Sequence, residues 1–239
     1  MSDDRRDLIN AGTNSDSIDL KSADSERVSE TISEQPRLKP GSQVVPCFTP
    51  GTMIATIKGE RPAEDLREGD KVITRDNGIQ EIRWAGKKTL NGKELTLDHH
   101  LKPVLIREGA LGQGLPERDM LVSPDHRLLV ANDKTALHFD EREVLVAAKH
   151  LVNNRGIEVK NAHSATYIHF LFDRHEVVLS NGAWSESFQP GTQSLAGMGK
   201  EHQDEILDLF PDLDTTKGRE RHSVVRKSLK KIEALLLKQ

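Results

Sequence analysis

The chain has 239 residues, 35% of them hydrophobic, with 34 basic against 38 acidic side chains and a formal net charge of −4. That is enough apolar material for one core of ordinary domain size, and it excludes the strongly basic field on which nucleic-acid binding rests. One cysteine, Cys47, excludes an intrachain disulfide and a cysteine-based zinc site, while the longest apolar run, VLVAA at 144–148, is too short to span a bilayer.

Residues 1–46 contain no aromatic side chain and are dominated by Ser, Asp, Glu, Arg and Lys, as in NSDSIDLKSADSERVSETISEQ. Such a stretch buries too little surface to offset its ordering entropy, which predicts a disordered polar leader. Its start, MSDDRRDLIN, lacks the apolar core of a signal peptide, so the expected location is cytoplasmic by default, with a leaderless export route leaving no mark.

From Thr52 to Glu186, short runs of Val, Ile and Leu alternate with Gly, Pro, Asn and Asp about every ten residues, the punctuation of an all-β protein. TMIATI, KVIT, IQEIRWA, PVLIRE, DMLVS, RLLV, TYIHFLF, EVVLS and AWSESF are the predicted strands. Lys58-Gly59-Glu60, Asp76-Asn77-Gly78 and Asn181-Gly182 supply tight turns between them. The acids of ERPAEDLREGD alternate with Arg61 and Arg67 and read as a solvated loop. The glycines of GALGQGLP neither follow a strand nor open a helix, which excludes a phosphate loop. Trp84 and Trp184 fall in predicted strands as packing residues, and His99 and His100 have no ligand spacing. No cofactor or metal is expected.

After Pro190, GTQSLAGMGK reads as a linker and EHQDEILDLF as a short helix. SVVRKSLKKIEALLLKQ then spaces Val225, Leu229, Ile232 and Leu236 along one helical face, with Arg226, Lys227, Lys230 and Lys231 opposite. That helix packs on the domain or offers a small basic surface to a membrane or protein partner. The expected organisation is therefore a leader over 1–46, a domain of short strands over 47–190, and a linker with C-terminal helices over 191–239.

VVPCFTPGT at 44–52 sets the lone thiol where the leader ends. An unpaired cysteine commonly serves as a small buried hydrophobe. Here Pro46 precedes it and Thr49-Pro50-Gly51-Thr52 turns the chain into the first strand, so the thiol stands beside the carbonyl joining leader to domain. CFTPGT followed by MIATIKGERPAEDLREGDKVITRDNG resembles the start of the Hint domain, the all-β module shared by Hedgehog autoprocessing regions and inteins, in the form found across many bacterial proteins. LVSPDHRLLV at 121–130 is similar to the second signature of that family, and TYIHFLFDRHEVVLSNGAWSESF at 166–188 to its closing strands.

The resemblance implies an N-to-S acyl shift in which Cys47 attacks the Pro46 carbonyl and turns the Pro46–Cys47 peptide bond into a thioester, so that the chain's own N-terminal segment is the substrate. A free thiol with a pKa of about 8.5 needs a base, the amide nitrogen needs a proton, and the oxyanion needs donors. By resemblance His126 contacts the scissile amide and Ser123 holds the position of the family's Thr or Ser, although SPDH also suits a plain turn. On a strand, HFLFDRH sets His169, Leu171, Asp173 and His175 on one face. Its polar members are a proton relay near Cys47, a metal site, or solvated surface, with His169 ahead of Asp173 as the base. The family's usual Asp is absent there. The closing His-Asn of inteins is absent too, since the chain runs on through SNGAWSES, and no sterol-recognition region is identifiable. Cleavage on the N-terminal side alone is the expectation, with a silent Hint-fold binding or structural module as the alternative and a cysteine hydrolase acting in trans as a third.

Overall fold

Runs of Val, Ile and Leu bounded by turn residues become strands, as their alternation requires. The computed structural model describes residues 45–191, 195 and 198–237, so the leader expectation lies outside the described residues except at Val45 and Pro46. In chain order the strands are β1 (Met53–Thr56), β2 (Gly59–Pro62), β3 (Lys71–Thr74), β4 (Gly78–Glu81), β5 (Trp84–Asn91), β6 (Val104–Ile106), β7 (Met120–Val122), β8 (Arg127–Val130), β9 (Val144–Ala147), β10 (Ile157–Val159), β11 (Ser164–Leu171), β12 (Val177–Ser180), β13 (Ala183–Glu186) and β14 (Ser228–Leu229). The helices are α1 (Gly92–Leu97), α2 (Asp133–Phe139), α3 (Ala148–Leu151), α4 (Lys200–Leu209), α5 (Thr216–Arg221) and α6 (Lys231–Leu237). This is a mostly β protein with a small C-terminal helical extension.

The larger sheet runs β14-β9-β8-β13-β12-β1-β3-β4, with β2 paired to β1. β10-β6-β7 forms a second sheet, and β11 pairs antiparallel with β5 from Ser164↔Asn91 to Leu171↔Trp84. Phe48 joins these last two groups: it exchanges both backbone bonds with Ile168 at 2.9 Å and bridges to Val122. Successive residues of an extended segment face opposite ways. Cys47 therefore enters one apolar cluster with Trp84, Tyr167 and Phe188, and Phe48 enters another with Ile54, Ile168 and Phe170. β11 lies between the two clusters, with Tyr167 and Leu171 on the Cys47 side and Ile168 and Phe170 on the other.

Several expectations are corrected. ERPAEDLREGD is not all loop: it opens within β2, where Arg61 pairs with Asp70 at 2.7 Å. VLVA at 144–147, which is not among the predicted strands, is the buried strand β9, a continuous apolar run because both its faces are covered. The C-terminal helix starts only at Lys231. Leu229 is captured as part of β14, parallel to β9 and opposite Val146, so the predicted face of Val225, Leu229, Ile232 and Leu236 does not form. The helix turns Ala234 inward instead and leaves Ile232 79% exposed.

One glycine is set by a close approach. Gly86 stands opposite His169 in the β5–β11 ladder, and a Cβ there would lie 2.2 and 2.4 Å from ring carbons of Trp84. The indole fills the space a side chain would take. Gly86→Ala is accordingly expected to lower unfolding stability by about 1–3 kcal/mol through overpacking, measured by urea titration; an unchanged midpoint would contradict this account of the packing.

Candidate active site at Cys47

Three segments meet at the sulfur: the entry segment 45–48, the turn after β7, and β11. Ser123 is the clamp between the first two. The Cys47 N–H donates to Ser123 Oγ at 2.9 Å, Ser123 Oγ donates to the Val45 carbonyl at 2.9 Å, and the Ser123 N–H donates to the Cys47 carbonyl at 3.1 Å. SPDH is also a turn, closed by the His126 N–H donating to the Ser123 carbonyl at 3.1 Å. Ser123 thus belongs to the turn and is hydrogen-bonded to the entry segment at the same time.

His169 reaches both partners of the Pro46–Cys47 bond. Its Nδ1 lies 3.2 Å from the Pro46 carbonyl oxygen and its Nε2 lies 3.5 Å from Cys47 Sγ. A carbonyl oxygen only accepts, so Nδ1 carries the proton and Nε2 turns a lone pair toward the sulfur. The thiol has a single proton, and the Val45 carbonyl, 2.7 Å from Sγ, competes with Nε2 for it, so transfer to the imidazole requires the S–H to turn away from that carbonyl. Trp84 lies nearly parallel to the imidazole at 6.5 Å between centroids, and Phe188 meets it edgewise at 5.7 Å.

The site is dry. Cys47 is 2% exposed and His169 is 5% exposed. Burial pushes the Cys47 thiol well above its ordinary range, with Ser123 opposing in part. Burial likewise draws His169 down to about 4, against the raising effect of its Pro46 contact. The ring is neutral at neutral pH, which is the state a proton acceptor needs.

His126 is fully buried, packed edgewise on Phe48 at 4.6 Å between centroids, and neither ring nitrogen has a hydrogen-bond partner among the described residues. Burial draws it down to about 4, with Glu186 opposing and Arg127 adding to the shift. Its expected contact with the scissile amide is not made in this state, where the Cys47 N–H is held by Ser123.

The shared face of HFLFDRH does not extend as expected. β11 ends at Leu171, so the alternation holds for His169 and Leu171 and stops there. Asp173 lies past the strand with its side chain 68% exposed, paired with Arg83 at 3.4 Å. His175 is buried elsewhere, its Nε2 on Glu186 at 3.2 Å and its Nδ1 accepting from the Val225 N–H at 3.4 Å. Burial acts to raise Glu186, but Arg127 and His175 outweigh it and hold the carboxylate below its ordinary value. Neither Asp173 nor His175 touches the sulfur. Among the described residues no three His, Cys, Asp or Glu side chains are grouped to hold a metal ion, and no helix is long and apolar enough to cross a membrane.

Two participants were not read from the sequence. The Val45 carbonyl carries no side-chain signal, and Glu205 of α4, which accepts from Trp84 Nε1 at 2.9 Å, lies 121 positions along the chain from that indole.

His126 and His169 make stability depend on pH. Each has an ordinary value of 6.5 and stands near 4 when folded, so between those values the unfolded chain binds protons that the folded chain refuses. Stability falls as pH drops from 6.5 toward 4, by at most about 3 kcal/mol per ring, and this contribution levels off below. Urea unfolding across that window is expected to show a shallower slope in His169→Gln than in the natural chain; equal slopes would contradict the assignment.

The family model described as Hint domain matches residues 46–192. Among solved structures, the bacterial intein-like domain from Clostridium thermocellum is 16% identical, covering 61% of this chain and 99% of its own, with a TM-score of 0.40. The gp41-1 intein is 13% identical, covering 59% of this chain and 98% of its own, with a TM-score of 0.35. A search of curated proteins found no match. The matched segment takes in more than half of the residues and opens on Pro46, whose carbonyl faces His169, and on this match the chain belongs to the Hint domain family.

Proposed function

We propose that this domain carries out an N-to-S acyl shift at the Pro46–Cys47 bond and so permits cleavage on the N-terminal side of Cys47. The observation that carries the reading is a single neutral imidazole within 3.5 Å of the sulfur and 3.2 Å of the carbonyl oxygen beside it. The thiol proton passes to His169 Nε2 as Sγ adds to the Pro46 carbonyl carbon. The charge that develops on the carbonyl oxygen meets the Nδ1–H of what is now an imidazolium. Collapse breaks the carbon–nitrogen bond, and the proton held at Nε2 moves to the departing Cys47 nitrogen. One carbon–sulfur bond replaces one carbon–nitrogen bond, and the sulfur's proton ends on the new amine.

Ser123 keeps the attacking residue in register in this scheme, and His126, whose ring nitrogens have no partner among the described residues, reaches the freed amine only after a local rearrangement. The shift runs uphill because the amide loses its resonance, so a thiol or water that attacks the thioester makes it irreversible. Asp173 and His175 take no part, being held by Arg83 and Glu186. The working unit is the expected domain over 47–190, with residues up to Pro46 as the released segment.

Two further observations narrow the outcome. Asn181 is a corner residue: it has a φ of 46°, its side chain accepts from the Met53 N–H at 2.8 Å, and it donates to the Asp119 carbonyl at 3.2 Å. A second cleavage by asparagine cyclisation has no support at that residue. The 2% exposure of Cys47 argues against a hydrolase acting on substrates in trans.

Incubation of the full-length chain with dithiothreitol is expected to release a fragment ending at Pro46, read by intact mass. Cys47→Ala is expected to abolish release, and His169→Ala to slow it by roughly 100-fold or more. A chain that stays intact under these conditions sinks the reading and leaves the binding or structural role of the fold.

A further inference from the structure

The apolar cluster that contains the cysteine is completed by residues that lie beyond the matched segment. Met198, Ile206 and Leu213 belong to the same apolar cluster as Val45, Cys47 and Trp84, and Ile206 and Leu213 have no exposed surface. α4 also grips the indole beside the imidazole. Glu205 accepts from Trp84 Nε1 at 2.9 Å, and the His202 ring meets the indole edgewise at 5.5 Å between centroids. Val45 and Cys47 are left 6% and 2% exposed.

This addition to the cluster is thinly attached. In α4, sequence KEHQDEILDL, Ile206 is the one fully buried residue, while Lys200, Glu201, Asp204, Glu205 and Asp208 are acids or bases along the same ten residues. Lys200 and Asp204 pair with each other on the outer side, at 3.0 Å and with side chains 85% and 60% exposed. α4 itself is anchored by Ile206 and the partly buried Leu207, with Met198, Phe210 and Leu213 holding its two ends, and such a short helix with one buried stripe opens more readily than strands buried on both faces.

We propose that residues 198–213 form an acceptor gate over Cys47, set between the thioester and any external nucleophile. The inference rests on the acyl-shift reading for its chemistry, since the gate decides what can resolve the thioester. Closed, it leaves the Cys47 amine as the nearest acceptor, and attack by that amine on the thioester carbon restores the peptide bond and the thiol. Open, it admits a small thiol, which forms a new thioester with Pro46 and returns the Cys47 sulfur with its proton. The gate suppresses loss to water and makes release depend on displacement of α4.

Cys47 is the sole cysteine, so a maleimide reports on this one site. The full chain, Ile206→Ala, Glu205→Gln and Val144→Ala are labelled under native conditions, the last as a control for general loss of stability because Val144 is buried in a different cluster. Ile206→Ala and Glu205→Gln are each expected to label about tenfold faster than the natural chain, because labelling of a buried thiol follows the open population, with Val144→Ala closer to the natural chain. Release by dithiothreitol is expected to accelerate in parallel. Glu205→Gln removes no packing volume, and hydrogen exchange on β11 and β12 checks that it retains the fold. Unchanged labelling in both gate variants, or equal acceleration in Val144→Ala, overturns the gate. Faster labelling in the gate variants with no release of the N-terminal segment upholds the gate over the thiol and overturns the acyl shift instead.

Discussion

The contact of one His169 ring with both the Cys47 sulfur and the Pro46 carbonyl oxygen depends on a strand that cannot shift. β11 carries Tyr167 and Leu171 into the cluster that contains Cys47 and Ile168 and Phe170 into the cluster that contains Phe48. A slip of one residue would exchange the two sets and send the imidazole away from the thiol. The backbone bonds between Phe48 and Ile168 hold the entry segment in the same register, so the apolar packing that builds the core also sets the distances at the site.

Burial has two opposed effects on the proposed reaction. It keeps His169 neutral and ready to accept a proton, and it raises the thiol that must give one up. A proton transfer directly from sulfur to Nε2 resolves the conflict, because neither ion has to exist free in the apolar cluster before the other forms. The resulting imidazolium then lies against the developing oxyanion, where low local dielectric strengthens the attraction.

The second buried histidine network has a different character. His175, Glu186 and Arg127 are fully partnered, and through Val225 and Ser228 they tie the chain after α5 to β13 and β8. Fully satisfied buried polar groups rigidify rather than react. His126 is the contrast: a buried ring with no partner for either nitrogen among the described residues, packed on Phe48, the residue after Cys47. Thr52 Oγ1 and His150 Nδ1 also lack a hydrogen-bond partner among the described residues, but His126 is the ring that lacks one at both nitrogens.

The sequence by itself determined the β class, the positions of the main strands and tight turns, and the family signature beginning at CFTPGT, because these depend on local alternation and on residues such as Gly and Asn that set backbone angles. It also made Cys47 and His169 stand out as residue types able to do the chemistry. It did not determine where β11 stops, and so it grouped Asp173 and His175 with His169 on a face that ends at Leu171. It missed the break that lets Leu229 join β9 and starts α6 at Lys231, since pairing with a strand more than eighty positions away overrides helical periodicity. Only the tertiary structure decided that one imidazole meets both the sulfur and the carbonyl, and that α4 packs into the same cluster and bonds to Trp84 beside that imidazole. Those contacts join residues far apart in the chain, and their energies come from packing and from the exclusion of water, which no local pattern encodes.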